Sequence, residues 1–229
     1  MTSPARHLFR LAPAIAALGV LAACANQPKP SVSPGVGNAV PPPPPPPPAG
    51  GRVLLDWKAI IRPAELGRLE RLGEAWTVAL GEARAEHHGD ALKALGELTD
   101  PNASADGPAP PPGDYRCRTV KIGSKAQGLK SFTQYGWFTC RIEATAKGLK
   151  LSKTSGSQRP SGLLFPDTAR RMVVLGSISL GEEPAANAYG LHPERDFVGV
   201  MERLPSGGWR LAMPWPYAES NLDLIELQR

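Results

Sequence analysis

Phe138-Thr139-Cys140-Arg141-Ile142-Glu143-Ala144-Thr145, then Lys147-Gly148 and Leu149-Lys150-Leu151, is the stretch that decides the fold. Its residues alternate. Cys140, Ile142 and Ala144 point one way and Arg141, Glu143 and Thr145 the other, the period of a strand with one buried face. Lys147-Gly148 is a turn signal, after which the alternation resumes, so the segment reads as an antiparallel hairpin.

Working outward, the same texture fills the C-terminal half. Arg116–Ile122 alternates before the hairpin. After it come Gly162–Phe165, Met172–Leu180, Phe197–Leu204, Trp209–Trp215 and Leu222–Leu227, separated by Pro166-Asp167, Gly181 and Pro205-Ser206-Gly207-Gly208. Eight short strands with turns between them predict an antiparallel barrel or sandwich over 114–229. Eight is the strand number at which a small barrel is just filled by side chains or holds one small ligand.

Upstream, 53–100 reads as helical. Pro63 suits a first helical position. Leu66, Leu69, Leu72, Trp76, Leu80 and Ala83 then recur every three or four residues as one apolar stripe. His87, His88 and Gly89 predict a C-terminal cap, and Ala91–Leu98 a second short helix. The expected class is α+β, mainly β: N-terminal helices packed on an eight-stranded antiparallel barrel or sandwich.

The N-terminus carries an address. Arg6, His7 and Arg10 precede thirteen small or apolar residues, Leu11–Ala23, and Leu21-Ala22-Ala23-Cys24 has the pattern of a lipobox. This predicts a lipoprotein signal peptide over 1–23, with lipid on Cys24 as the membrane anchor. The run falls short of the ~20 residues of a membrane span. Ala25 stands where an aspartate would retain a lipoprotein in the inner membrane, so the outer membrane, facing the periplasm, is the expected location. Residues 24–52 then read as the lipidated cysteine and a disordered tether, with eight consecutive prolines at Pro41–Pro48 forming a stiff rod of about 3.1 Å per residue.

Composition bounds the partners. Arg6 and Arg10 leave with the signal peptide and no acid does, which takes the charge from +5 to +3. That is ordinary for solubility. No basic stripe with interleaved aromatics points to nucleic acid, and no cofactor or metal is expected. With Cys24 lipidated, Cys117 and Cys140 remain. In an exported protein a disulfide between them is the simple solution, and closing their loop contributes about 3 kcal/mol. Two zinc ligands or two free buried thiols are the other arrangements.

Four residues are candidates for a binding site. Gln158 and Arg159, in Gly156-Ser157-Gln158-Arg159-Pro160, either line a pocket mouth or anchor a corner. His192, in Leu191-His192-Pro193-Glu194-Arg195-Asp196, sits beside two carboxylates as a general base would, or belongs to a loop ion-pair cluster; no G-x-S-x-G nucleophile motif accompanies it. Glu202 shares its face with Val198, Val200 and Leu204, which read as inward. There it needs a cationic partner, Arg159 or Arg210, as a structural pair or as a ligand-orienting charge. His87 and His88 point about 100° apart on a helix and do not chelate together. Trp209, Trp215 and Tyr217 read as core and rim aromatics. No catalytic residues are assigned.

Asp56-Trp57, Asp114-Tyr115-Arg116-Cys117-Arg118, Cys140-Arg141-Ile142, Gly156–Pro160, Leu164–Asp167, Arg170–Met172, Glu194-Arg195-Asp196 and the tail Glu219-Ser220, Leu222-Asp223, Ile225–Leu227 together resemble the family catalogued as domain of unknown function 4893, over roughly 55–228. The resemblance implies an exported bacterial protein, often a lipoprotein, and brings no catalytic residues with it. The eight-strand reading is also similar, in architecture alone, to calycin-type barrels, which include envelope protease inhibitors and ligand carriers. The expected function is a non-enzymatic binding or inhibitory module, its partner an envelope protein or a small apolar ligand. The alternatives are a structural or assembly lipoprotein, motivated by the helix stripe, and a hydrolase using the His192 loop or the Gln158-Arg159 corner.

Overall fold

The computed structural model describes residues 56–229. The signal peptide, Cys24 and the tether lie outside the described residues, and 56–229 falls within one compact unit.

Eight antiparallel strands close into a barrel in sequence order. They are β1 (Gly113–Ile122), β2 (Phe132–Thr145), β3 (Gly148–Lys153), β4 (Gln158–Pro166), β5 (Arg171–Leu180), β6 (Asp196–Arg203), β7 (Trp209–Pro214) and β8 (Leu222–Gln228). Pairing of β1 with β8, Cys117 opposite Leu227, completes the ring. All eight predicted strands are present. Three start well before the expected residue: β1 begins at Gly113, β2 at Phe132, and Gln158–Pro160 is strand rather than connecting loop.

The barrel is filled by its own side chains. Every strand contributes, among them Tyr115, Ile142, Leu151, Leu164, Val174, Phe197, Met201, Leu211 and Ile225, with Phe138, Ile178 and Trp209 packed against them. Such a layer of large, buried apolar groups fills the interior. The Cys117–Cys140 disulfide lies within it, Cα atoms 5.8 Å apart and both residues at most 1% exposed.

Helices coat part of the outside. The predicted helical stretch is four pieces: α1 (Trp57–Ile60), α2 (Pro63–Glu70), α3 (Leu72–Ala85) and α4 (Gly89–Ala94), followed by a 3-10 turn at Gly96–Thr99. The first break has a local cause. Pro63 takes the first helical position and forces Arg62 into extended backbone at φ −84, ψ 155. The cap after α3 uses His87, not Gly89, as its left-handed residue, at φ 65. His87 N–H donates to Arg84 O and His88 N–H to Ala83 O, a Schellman pair.

The apolar stripe faces the barrel wall. Trp76, Ala79, Leu80 and Ala83 pack on Val120, Ile122, Ala212, Leu222 and Leu224. Trp57 and Leu69 pack on Phe165, Val173, Leu175, Val198 and Val200. Two expectations are corrected by this second core. Val198, Val200 and Glu202 face outward, toward the helical layer, while Phe197 and Met201 fill the barrel. The stripe offered as a docking surface is already covered. Ala144 is also exposed, because β2 runs on beyond the core there.

Candidate functional site at the barrel mouth

One end of the barrel is crossed by the chain entering from the helices. Ala105 bridges to Arg203, Gly107 N–H donates to Ala169 O, and Pro111 O accepts from Tyr115 Oη at 2.6 Å. The other end is ringed by the connections 123–131, 154–157, 181–195 and 215–221. Charged side chains reach its interior.

Strand parity places them. In β1, Lys121 follows Cys117 and Thr119 on the inward face; in β3, Lys153 follows Leu149 and Leu151; in β8, Asp223 precedes Ile225 and Leu227. Lys121 Nζ lies 3.2 Å from Asp223 and 2.9 Å from Glu219. Burial opposes its charge, but the two carboxylates hold its pKa above the ordinary lysine value. Its hydrogen bond in turn holds the Glu219 carboxyl below the usual range. Asp223 also accepts from Ser220 Oγ.

Lys153, 6% exposed, has a different shell. Its ammonium donates to Ser155 O at 2.9 Å and Gln158 O at 3.0 Å, and stands 3.8 Å from the centre of the Phe138 ring. Burial, then the nearby charges of Arg159 and Lys121, bring its pKa down to about 8. Arg159 itself donates to Gly156 O at 2.8 Å, Gly181 O at 2.6 Å and Glu183 O at 2.5 Å, tying the β3–β4 turn to the β5–β6 loop.

Two clefts open here. One, about 180 Å³, has Lys153, Glu219, Thr119, Tyr135, Ser157 and Gln158 in its wall. The other, about 230 Å³, is largely apolar, with Ile178, Leu180, Pro216, Tyr217 and Ala218. Lys121 and Gln158 line both. The 215–221 loop over the mouth has two left-handed non-glycine residues, Trp215 (φ 48) at its start and Glu219 (φ 69) near its end. Such backbone persists where surrounding contacts over-determine it, and it gathers at ligand clamps. Trp215 Nε1 donates to Arg71 O at 3.2 Å, Lys125 Nζ donates to Pro216 O, and Lys125 N–H donates to Glu219 O.

Of the four residues singled out in the sequence, Gln158 and Arg159 lie at this mouth. His192 is on the loop that forms one of its walls but is half exposed and faces Glu194, Nδ1 to Oε1 3.6 Å. Glu202 is elsewhere, under the helical layer, where Arg210 grips its carboxylate at 2.6 and 3.2 Å. A ligand-orienting role inside the barrel is thereby corrected: its strand parity matches Val200 and not Met201. Lys121, Lys153, Glu219 and Asp223 were missed as site residues.

A second polar cluster lies beneath α2. Asp196 accepts from Gly190 N–H at 2.9 Å and stands 3.8 Å from Arg62; Glu65 stands 3.8 Å from Arg68 and accepts from Tyr189 Oη at 3.4 Å. Asp196 Oδ1 and Ser177 Oγ, from facing positions on β6 and β5, are buried without a partner. Burial pushes the Tyr189 hydroxyl up to about 12. Among the described residues there is no group of three metal-ligating side chains, and no helix is long and apolar enough to cross a membrane.

No curated protein and no solved structure matches the chain. The model of the family described as "Domain of unknown function (DUF4893)" matches residues 57–227, the helical layer and the barrel together, and the chain belongs to that family.

Proposed function

We propose that this protein is a lipid-anchored envelope protein whose barrel mouth binds a small ligand without chemical conversion. The observation that carries the reading is the mouth itself. The barrel interior is occupied by side chains, yet its open end places buried charge in a polar cleft of about 180 Å³ beside a largely apolar one of about 230 Å³. Ligand sites combine an apolar wall with a few placed polar groups in this way. Their volumes are below the roughly 300–1,000 Å³ of sites for drug-sized molecules, so the ligand is small or inserts only one part of itself. An inhibitory module would use the same rim to seat a protruding segment of an envelope protein.

The leader, lipobox and proline tether supply the address: Cys24 carries the lipid, and Pro41–Pro48 holds the domain clear of the membrane, with the outer membrane as the destination. Globomycin, which blocks lipoprotein signal peptidase, is expected to leave precursor uncleaved; normal maturation in its presence rules the anchor out. Native mass spectrometry of the mature chain from the envelope tests the binding. A small adduct that is lost in Leu180→Asp supports it, and a bare mass contradicts it.

A further inference from the structure

We propose that the mouth takes an anionic amphiphile, its negative head on Lys153 and its apolar part in the cleft between Leu180 and Tyr217. This rests on the reading of the mouth as a binding site and narrows it to one chemical class.

Lys153 and Lys121 are the two ammonium groups inside the mouth, and they are treated differently. Asp223 and Glu219 both go to Lys121, and Glu194, in the wall of the apolar cleft beside Arg195, faces His192. The named partners of Lys153 are neutral: two carbonyls and an aromatic face. Two carbonyls leave one of its three ammonium protons with no oxygen acceptor, only the Phe138 ring face. Arg159, beside it, is likewise spent on carbonyls. The Lys153 cleft is also lined by Lys121 and Glu219, but that carboxylate is bonded to Lys121; among the described residues the Lys153 ammonium has no ion-pair partner, in surroundings of lowered dielectric where a charge-assisted bond is strong. Thr119, Tyr135, Ser157 and Gln158 add hydroxyl and amide groups around it.

The apolar cleft shares the Lys121–Gln158 wall with this one. Leu180 at 37% and Tyr217 at 64% exposure present apolar surface with nothing laid over it. A molecule with a charged head and a short apolar body meets both clefts at once. Neutral lipids satisfy only the second, and inorganic anions only the first.

The test is calorimetric titration of the mature protein with octanoate and, in parallel, octanol. At pH 7 octanoate is expected to bind about tenfold or more tighter than octanol. The preference is expected to vanish in Lys153→Met, which keeps the unbranched chain as far as its Cε and lacks only the ammonium. In the unsubstituted protein, octanoate affinity is expected to fall above about pH 8, as the ammonium loses its proton, and to level off near that of octanol; this arm does not depend on the variant folding. Equal affinity for the two probes, a preference that survives Lys153→Met, or a flat pH profile overturns the proposal while leaving a binding mouth. If neither probe binds but an envelope-derived adduct is still seen by native mass spectrometry, the class is wrong. If neither probe binds and no adduct is seen, the binding reading fails with it.

Discussion

Replacing Arg210 with methionine is expected to be the most damaging single polar substitution in the fold. Arg210 has no exposed surface, yet its guanidinium makes contacts on all sides. It grips Glu202 at 2.6 and 3.2 Å and donates to Asp100 O at 2.6 Å, Glu97 O at 3.0 Å, Leu98 O at 3.2 Å and Ala103 O at 3.3 Å. It also stacks on Trp76 at 4.9 Å. One side chain on β7 thus satisfies the carbonyls where the helical layer ends and fixes that layer to the barrel. Methionine refills most of the volume, so packing contributes little to the loss. What remains is a Glu202 carboxylate only 15% exposed and without its cation, together with four carbonyls that lose a donor, of which Glu97 O and Asp100 O keep a backbone N–H. Breaking a buried pair costs about 3–5 kcal/mol, and water reaching some of the carbonyls moderates their share. The expected loss is about 4 kcal/mol, a large part of the roughly 5–15 kcal/mol of a typical domain. Urea unfolding of the mature chain reads it as a lower midpoint at unchanged slope. Adding Glu202→Leu to Arg210→Met is expected to recover part of the loss, since the stranded charge is then gone. A loss below about 1 kcal/mol in Arg210→Met, or no recovery in the double variant, refutes the assignment.

Removing the disulfide as Cys117→Ala with Cys140→Ala is expected to cost about 3 kcal/mol by the same unfolding assay; thiol counting on the folded, unreduced protein is expected to find neither cysteine free. Gly176→Ala is expected to cost 1–3 kcal/mol or more by overpacking, because an added Cβ would stand 2.6 Å from Gly162 Cα and 2.8 Å from Phe197 Cε1, and closer still to Ser161 O. Gly81→Ala, on α3 with nothing within 4 Å, is expected to stabilise by up to about 1 kcal/mol; parallel thermal melts separate the two. Asp196 gives a pH prediction. Burial first, with Glu65 beside it, raises its carboxyl against the Gly190 N–H and Arg62, so the native chain holds a proton that the unfolded chain releases. Its contribution therefore favours folding as pH falls from the raised value toward the ordinary ~3.9, and the penalty is complete above the raised value. Asp196→Asn is expected to be more stable than the parent at pH 7 and to lose that advantage toward pH 4; an unchanged difference across this range contradicts the account.

The barrel was legible because its strands alternate and its turns are marked. Cys140 and Ile142 announce one buried face, and Lys147-Gly148 announces the turn. Where both faces of a strand are buried, alternation loses its meaning. In β6 the run Phe197-Val198-Gly199-Val200-Met201 is buried throughout, so nothing in it tells barrel interior from helix-covered wall, and Glu202 was placed on the wrong side. The early part of β2 was hidden for another reason. Pairing with β1 shifts by one residue between Arg118↔Trp137 and Val120↔Gln134. That bulge turns Thr133 and Phe138 to the same side although they are an odd number apart, so the alternation could not be followed back past Phe138. The mouth lysines, by contrast, were readable. Lys121 has the parity of Cys117, Lys153 that of Leu151, and Asp223 that of Ile225. Following each strand one step past its apolar residues gives the charged rim. The pairing of Lys121 with Glu219, and the neutral shell of Lys153, depend on loops whose course no local pattern sets.

The most direct test of the binding mouth is a chemical-shift map. Isotope-labelled mature protein is titrated with the small-molecule fraction of an organic extract of bacterial envelopes, and backbone amide shifts are followed. The account predicts saturable shifts confined to Thr119–Lys121, Lys153–Arg159, Ile178–Gly181 and Trp215–Glu219. Saturable shifts centred elsewhere, as on the outer face around Arg116 and Trp137, or no shifts at any concentration, would contradict it.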